Sequence, residues 1–108
     1  MYDQSDLVKD LVKIFPEFAS YWQADIEDDE DPPTSLHWVY SSFLPFLANA
    51  HPTPKQWKLV ADHFSAAVEA GGDRENAADT VFLEALRRKD GITRSLRPLL
   101  SKKSKLYI

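Results

Sequence analysis

Apolar residues recur at three- and four-residue intervals through most of this chain, and proline, glycine or a capping residue breaks the pattern between stretches. Residues i, i+3, i+4 and i+7 share one face of an α-helix and no face of a strand, so this spacing confines the chain to helices. Leu7, Leu11, Ile14 and Phe15, widened by Val8 and Val12, predict a first helix with Ser5 as its N-cap and Asp6 in its first turn. Pro16 ends that helix or opens the next. Phe18, Tyr21 and Trp22 predict a short second helix to about Asp25. Thr34 or Ser35 caps a third, whose buried stripe is Leu36, Val39, Tyr40, Phe43 and Leu47, extended by Trp38 and Phe46, with a kink expected near residues 41–45 at Pro45.

Asn49-Ala50-His51-Pro52 reads as a turn, and Thr53-Pro54-Lys55-Gln56 is the sharpest local signal. Threonine caps, proline takes the first helical position, and Gln56 completes a capping box. Trp57, Val60, Ala61, Phe64, Ala67 and Val68 form the fourth core face, stopped by Gly71-Gly72. Asp73 caps a fifth helix with Ala77, Ala78, Val81, Phe82, Ala85 and Leu86 inward, and Gly91 ends it. Thr93 starts a short sixth helix carrying Leu96, Leu99 and Leu100, limited by Pro98. With no alternating β-branched run and no Asn-Gly or Asp-Gly turn, the expected fold is all-α, a single-domain bundle of five to six amphipathic helices over residues 1–100, with a basic tail at 101–108.

Charge is distributed unevenly along this frame. Asp25-Ile26-Glu27-Asp28-Asp29-Glu30-Asp31 places six carboxylates in seven residues, and Pro32-Pro33 stops the run. Residues 1–31 sum to −8, residues 32–86 to −3 and residues 87–108 to +7, within a net charge of −4. Such polarity implies either pairing inside the chain or a partner that reads one sign. The run reads as a loop anchored between helices and bordered by Tyr21, Trp22 and Trp38, and aromatics beside charge are a frequent composition of binding hot spots.

Chemistry-bearing motifs are weak by comparison. The absence of cysteine excludes disulfides, thiolate metal sites and cysteine nucleophiles. The carboxylates at 25, 27, 29 and 31 imitate the start of a calcium loop, but Glu30 stands where glycine is needed and Leu36 where a bidentate glutamate is needed. His37, His51 and His63 have no spacing that puts two metal ligands on one helix turn. His37 and His63 lie beside core faces and read as hydrogen-bonded structural histidines, while His51 reads as solvated. The serines lack a nucleophile-elbow context, and solvated carboxylates have nothing to separate their pKa values for acid–base work. The basic residues Arg87, Arg88, Lys89, Arg94, Arg97, Lys102, Lys103 and Lys105 lack interleaved aromatics before Tyr107, which argues against nucleic acid as their partner. The acidic N-terminus does not read as a signal peptide, and no apolar run approaches the roughly 18 residues of a membrane span. A cytoplasmic non-enzyme with no cofactor and no metal is the expectation.

Three segments carry a resemblance: Leu11 to Phe18, His37 to Leu47, and Gly72-Asp73-Arg74-Glu75-Asn76 leading to Phe82-Leu83-Glu84-Ala85-Leu86. In this order they resemble a family of small all-helical bacterial proteins that includes immunity proteins of contact-dependent growth inhibition and related polymorphic toxin systems. The resemblance spans residues 7–90 and rests mainly on helix-packing positions. It implies neutralisation of a toxin domain, often a nuclease with a cationic cleft, by a monomer forming a one-to-one complex. The acidic run independently suits such a target, since an anionic surface can mimic a phosphate backbone and speed encounter. The expected partner contacts are Asp25, Glu27, Asp28, Asp29, Glu30, Asp31 and Trp22, with Glu69, Asp73 and Glu75 behind them. The alternative is a helical adaptor that binds another protein without inhibiting an enzyme. Replacing Asp28, Asp29, Glu30 and Asp31 by Asn or Gln should slow association with a basic toxin and flatten its salt dependence without unfolding the chain. Unchanged stopped-flow kinetics across salt concentrations would remove the run from the account.

Overall fold

The computed structural model describes residues 2–27, 35–88 and 91–102, and every regular element among them is helical. Helix α1 spans Gln4–Ile14, α2 Phe18–Glu27, α3 Leu36–Ala50, α4 Pro54–Ala70, α5 Gly72–Arg88 and α6 Ile92–Leu96, followed by a 3₁₀ turn at Arg97–Leu99. This is the all-α single bundle that the periodicity predicts.

The caps explain most of the boundaries. Asp3, not Ser5, starts α1: its carboxylate accepts the Asp6 N–H at 3.0 Å, and the Asp6 carboxylate accepts the Asp3 N–H at 3.1 Å. Two acids three residues apart thus form a reciprocal capping box that the serine, already inside the first turn, cannot make. The Asp6 backbone N–H, first among its contacts, holds the Asp3 carboxyl below its ordinary range. Ser35 caps α3 by accepting the Trp38 N–H at 3.3 Å. Thr53 and Gln56 form the expected box on α4, with bonds of 3.1 and 3.0 Å. Gln56 also donates through Nε2 to the Ile14 carbonyl at 3.3 Å, so one residue both caps α4 and ties its start to the end of α1.

Other boundaries shift from expectation. Helix α2 continues past Asp25 to Glu27, because Ile26 packs against the core and holds the last turn against the repulsion of its neighbours. The helix assignment of α3 is unbroken through Pro45 to Ala50, and the chain turns at His51, whose φ of 51° is left-handed. Gly71, at φ 70°, stops α4; α5 begins at once with Gly72, so Asp73 lies in the first turn instead of capping it. A carboxylate there still suits the helix dipole.

Two aromatic clusters fix how the helices lie. Phe18 meets Phe43 edge-on at 5.2 Å and Phe46 at 5.3 Å, and Phe15 meets Phe46 at 5.6 Å. Tyr40 meets Phe64 at 5.3 Å, and Phe64 meets Phe82 at 5.5 Å. The first cluster joins α1, α2 and α3, and the second joins α3, α4 and α5. The late α3 residue Phe46 therefore sits beside the end of α1 and the start of α2. At the other pole, the Arg74 guanidinium lies 4.0 Å from the centroid of the Tyr2 ring, joining the start of α5 to the start of α1. Helices α1, α3 and α5 thus run one way and α4 the other, with α2 starting beside the ends of α1 and α3. Ile92, Leu96 and Leu100 close the core, and the Ser101 N–H donating to Ser65 Oγ at 2.9 Å fastens the chain onto α4.

Leu86 and Leu99, expected inside, are exposed at the edges of their helix faces. Phe18, by contrast, has no exposed surface. Phe18→Ala should therefore cost about 3–5 kcal/mol, and Thr53→Ala about 1 kcal/mol. Urea unfolding would show this as lowered midpoints, and a Phe18→Ala loss below that of Thr53→Ala would contradict the aromatic cluster's role.

Candidate partner-binding surface

The alternation of helices decides where the charged residues collect. Helices α1, α3 and α5 begin at one end of the bundle, where a groove of about 360 Å³ is lined by Tyr2, Asp3, Gln4, Ser35, Leu36, His37 and Asp73. Helix α4 runs towards the same end and carries Glu69 in its closing turn, while Asp25 and Glu27 lie in the closing turn of α2, which starts at the opposite end with Phe18 beside Phe46. Topology therefore brings Glu69 to the same pole as Asp73 and Glu75, through the α4–α5 junction at Gly71. Asp28, Asp29, Glu30 and Asp31 lie outside the described residues.

Asp25, Glu27, Glu69 and Asp73 are exposed, and Glu75 is half-buried in the first turn of α5. Two salt bridges occur among the described residues, Lys58 to Asp62 at 2.8 Å and Arg87 to Glu84 at 3.6 Å. Both are local to one helix and highly exposed, and such pairs contribute about 0–1 kcal/mol. Among the described residues the basic C-terminal segment forms no salt bridge with the acidic pole. Asp25 and Glu27 are further exposed to a mismatch: they sit at a helix C-terminus, where the dipole favours cations, and no base shares the last turn.

The aromatic border of this pole differs from expectation. Trp22 is only 5% exposed and packs beside Phe18 in the core, which leaves its ring little surface to offer a partner. Its spacing of four from Phe18 is the reason. Trp38, expected inside, is 47% exposed, because it lies about 200° around α3 from Leu36. Trp38 stands in the first turn of α3, at the end of the bundle that holds the groove.

Next to the groove lies a polar constellation that spacing alone did not reveal. The Tyr2 hydroxyl donates to Asp10 Oδ2 at 2.6 Å while its ring supports Arg74. Burial first, then the bond to Asp10, raises the Tyr2 hydroxyl above its ordinary pKa. A second groove of about 520 Å³ runs along α1, lined by Tyr2, Asp6, Val8, Lys9, Asp10, Val12 and Lys13. Tyr2 precedes an N-cap, a position whose side chain folds back along the helix, and that was its one sequence signal. Deeper in the bundle the Tyr40 hydroxyl lies 2.8 Å from His63 Nε2. This is the structural, hydrogen-bonded histidine anticipated from the sequence. His37, expected beside the core in the same way, is exposed because it follows the buried Leu36 by one position, and His51 is exposed as expected.

Among the described residues no group of three His, Cys, Asp or Glu side chains could hold a metal, and no helix is long and apolar enough to cross a membrane. Comparison with family models, curated proteins and solved structures returned no match.

Two measurements check this layout. Trp22→Ala should destabilise the fold by about 3–5 kcal/mol, whereas exposed Trp38→Ala should stay within about 0.5 kcal/mol; the reverse order would contradict the assignment. Burial lowers the His63 pKa from 6.5 to about 4. The unfolded chain therefore binds the extra proton first as pH falls, so stability is full above pH 6.5 and declines towards pH 4, by about 3 kcal/mol in all. Asp10 and Arg74 act on the same ring with opposite signs. Replacing His63 by Phe should flatten that slope, and an unchanged slope would assign the acid sensitivity elsewhere.

Proposed function

We propose that this protein is an immunity-type inhibitor that captures a cationic toxin domain, of nuclease type, on its acidic pole and covers the toxin's substrate cleft. The observation that carries this reading is the set of exposed carboxylates Asp25, Glu27, Glu69 and Asp73 at helix ends, with Asp25 and Glu27 placed where their own helix does not favour them. Helix stability accounts for Asp3, Asp6, Asp73 and Glu75 at helix N-termini, but not for acids at the end of α2. A cationic partner would supply the compensation that the described part of the chain lacks.

Trp38 completes the chemistry of such a surface. An exposed indole in the first turn of α3 offers a desolvating contact for an otherwise polar interface, and tryptophan is enriched among residues that dominate binding energy. In this mechanism the carboxylates steer the basic domain by long-range attraction, and the indole retains it. The resemblance of the helix-packing segments to immunity proteins points to the same class of partner. The protein would act in the cytoplasm, where a delivered toxin meets its substrate.

The test is co-purification with a basic nuclease toxin encoded beside the gene, followed by nuclease assay and stopped-flow binding. Asp25→Asn, Glu27→Gln and Asp73→Asn together should lower the association rate about tenfold at low salt. Trp38→Ala should mainly raise the dissociation rate, with a loss of about 2 kcal/mol. Full nuclease activity in the presence of excess inhibitor, or rates unaffected by these substitutions, would overturn the proposal.

A further inference from the structure

The opposite pole of the bundle has the inverse chemistry. Leu83 and Leu86 are 48% and 45% exposed on α5, and Arg87 continues their face at i+4 from Leu83. Leu86 and Arg94 line one groove of about 280 Å³ together with Thr93. The Thr93 hydroxyl is buried there without a hydrogen-bond partner, a donor left beside a guanidinium-bearing residue. The exposed Arg94 guanidinium at the mouth of this groove is the group that a carboxylate side chain pairs with. The exposed leucines would have no role on a phosphate backbone, which favours a protein over a nucleic acid as the occupant.

The molecule itself displays a surface of matching chemistry. Helix α5 has 17 residues and so is roughly 25 Å long, with Asp73 at one end and Arg87 at the other. That separation exceeds the screening length of about 8 Å in physiological salt, so the two poles cannot neutralise each other within one copy. We infer that the Leu86–Thr93–Arg94 groove docks the acidic pole of a second copy, giving a head-to-tail contact in which a partner carboxylate pairs with the exposed Arg94 and the leucines lie under the partner's apolar surface. Because the two surfaces differ, the contact is heterologous and extends into short open chains without closing on itself. A basic partner on the acidic pole would compete with it and return the protein to single copies.

Sedimentation velocity on the full chain tests this at about 0.02 M and about 0.5 M salt. The unaltered protein should show a sedimentation coefficient that rises with concentration at low salt and stays monomeric at high salt. Arg94→Glu with Arg97→Glu should be monomeric at both, and so should Asp25→Lys with Glu27→Lys and Asp73→Lys, each with an unchanged far-ultraviolet circular dichroism spectrum. A one-to-one mixture of the two variants should associate again at low salt, since the intact acidic pole of one meets the intact Arg94 groove of the other. The Arg94→Glu, Arg97→Glu variant should still bind poly-lysine, which separates a failure of this contact from a failure of the acidic pole. A monomeric unaltered protein at low salt, or self-association that survives Arg94→Glu and Arg97→Glu, would overturn the inference. Binding of anionic vesicles or of DNA through Arg94 in the absence of self-association would also overturn it.

Discussion

The packing of Phe18 against Phe43 and Phe46 sets the direction of α2, and the direction of α2 sets where its carboxylates emerge. A short helix of ten residues has little intrinsic stability, so tertiary contact must hold it. Three ring contacts at one end and Ile26 against the core at the other supply that hold. Asp25 and Glu27 stand in its last turn, away from the Phe15–Phe18 turn that anchors its start. Were α2 to leave the Phe15–Phe18 turn in another direction, the same sequence would scatter its charge over the side of the bundle.

Helix dipoles then divide the acids into two kinds. Asp3, Asp6, Asp73 and Glu75 lie in N-terminal turns, where carboxylates stabilise the helix, and two of them form a capping box. Asp25 and Glu27 lie at the opposite kind of terminus and have no described cation beside them. A surface that combines both kinds presents more negative potential than its own secondary structure requires. Potentials of this sort govern encounter rates and partner choice more than folding. The buried histidine belongs to the other side of that division. His63 is held neutral by burial against Tyr40 and Phe64, so it serves the packing of α3 on α4 and not the surface chemistry.

Much of this architecture was legible from spacing. The stripe Leu36, Val39, Tyr40, Phe43 and Leu47 is buried as its period implies, and the Thr53–Gln56 box forms as written. The tryptophans were not read correctly, although the same period separates them. Trp22 follows Phe18 by four and belongs to the core, while Trp38 follows Leu36 by two and faces away. Leu86 and Leu99 sit at the margin of their faces, where the depth of burial depends on a neighbouring helix that periodicity does not locate. The Tyr2–Asp10–Arg74 and Tyr40–His63 contacts link residues from different helices, so they depend on register and direction. Local patterning specifies neither. The gathering of Glu69 with the starts of α1 and α3 at one pole has the same origin.

The central claim is that this pole, and not another surface, receives a cationic protein. Hydrogen–deuterium exchange with and without a basic nuclease toxin domain tests it most directly. The account expects slowed exchange at residues 25–27, 35–38 and 69–75, with residues 51–57 and 91–96 unchanged. Protection confined to residues 51–57 or 91–96, with the acidic pole exchanging as in the free protein, would contradict it.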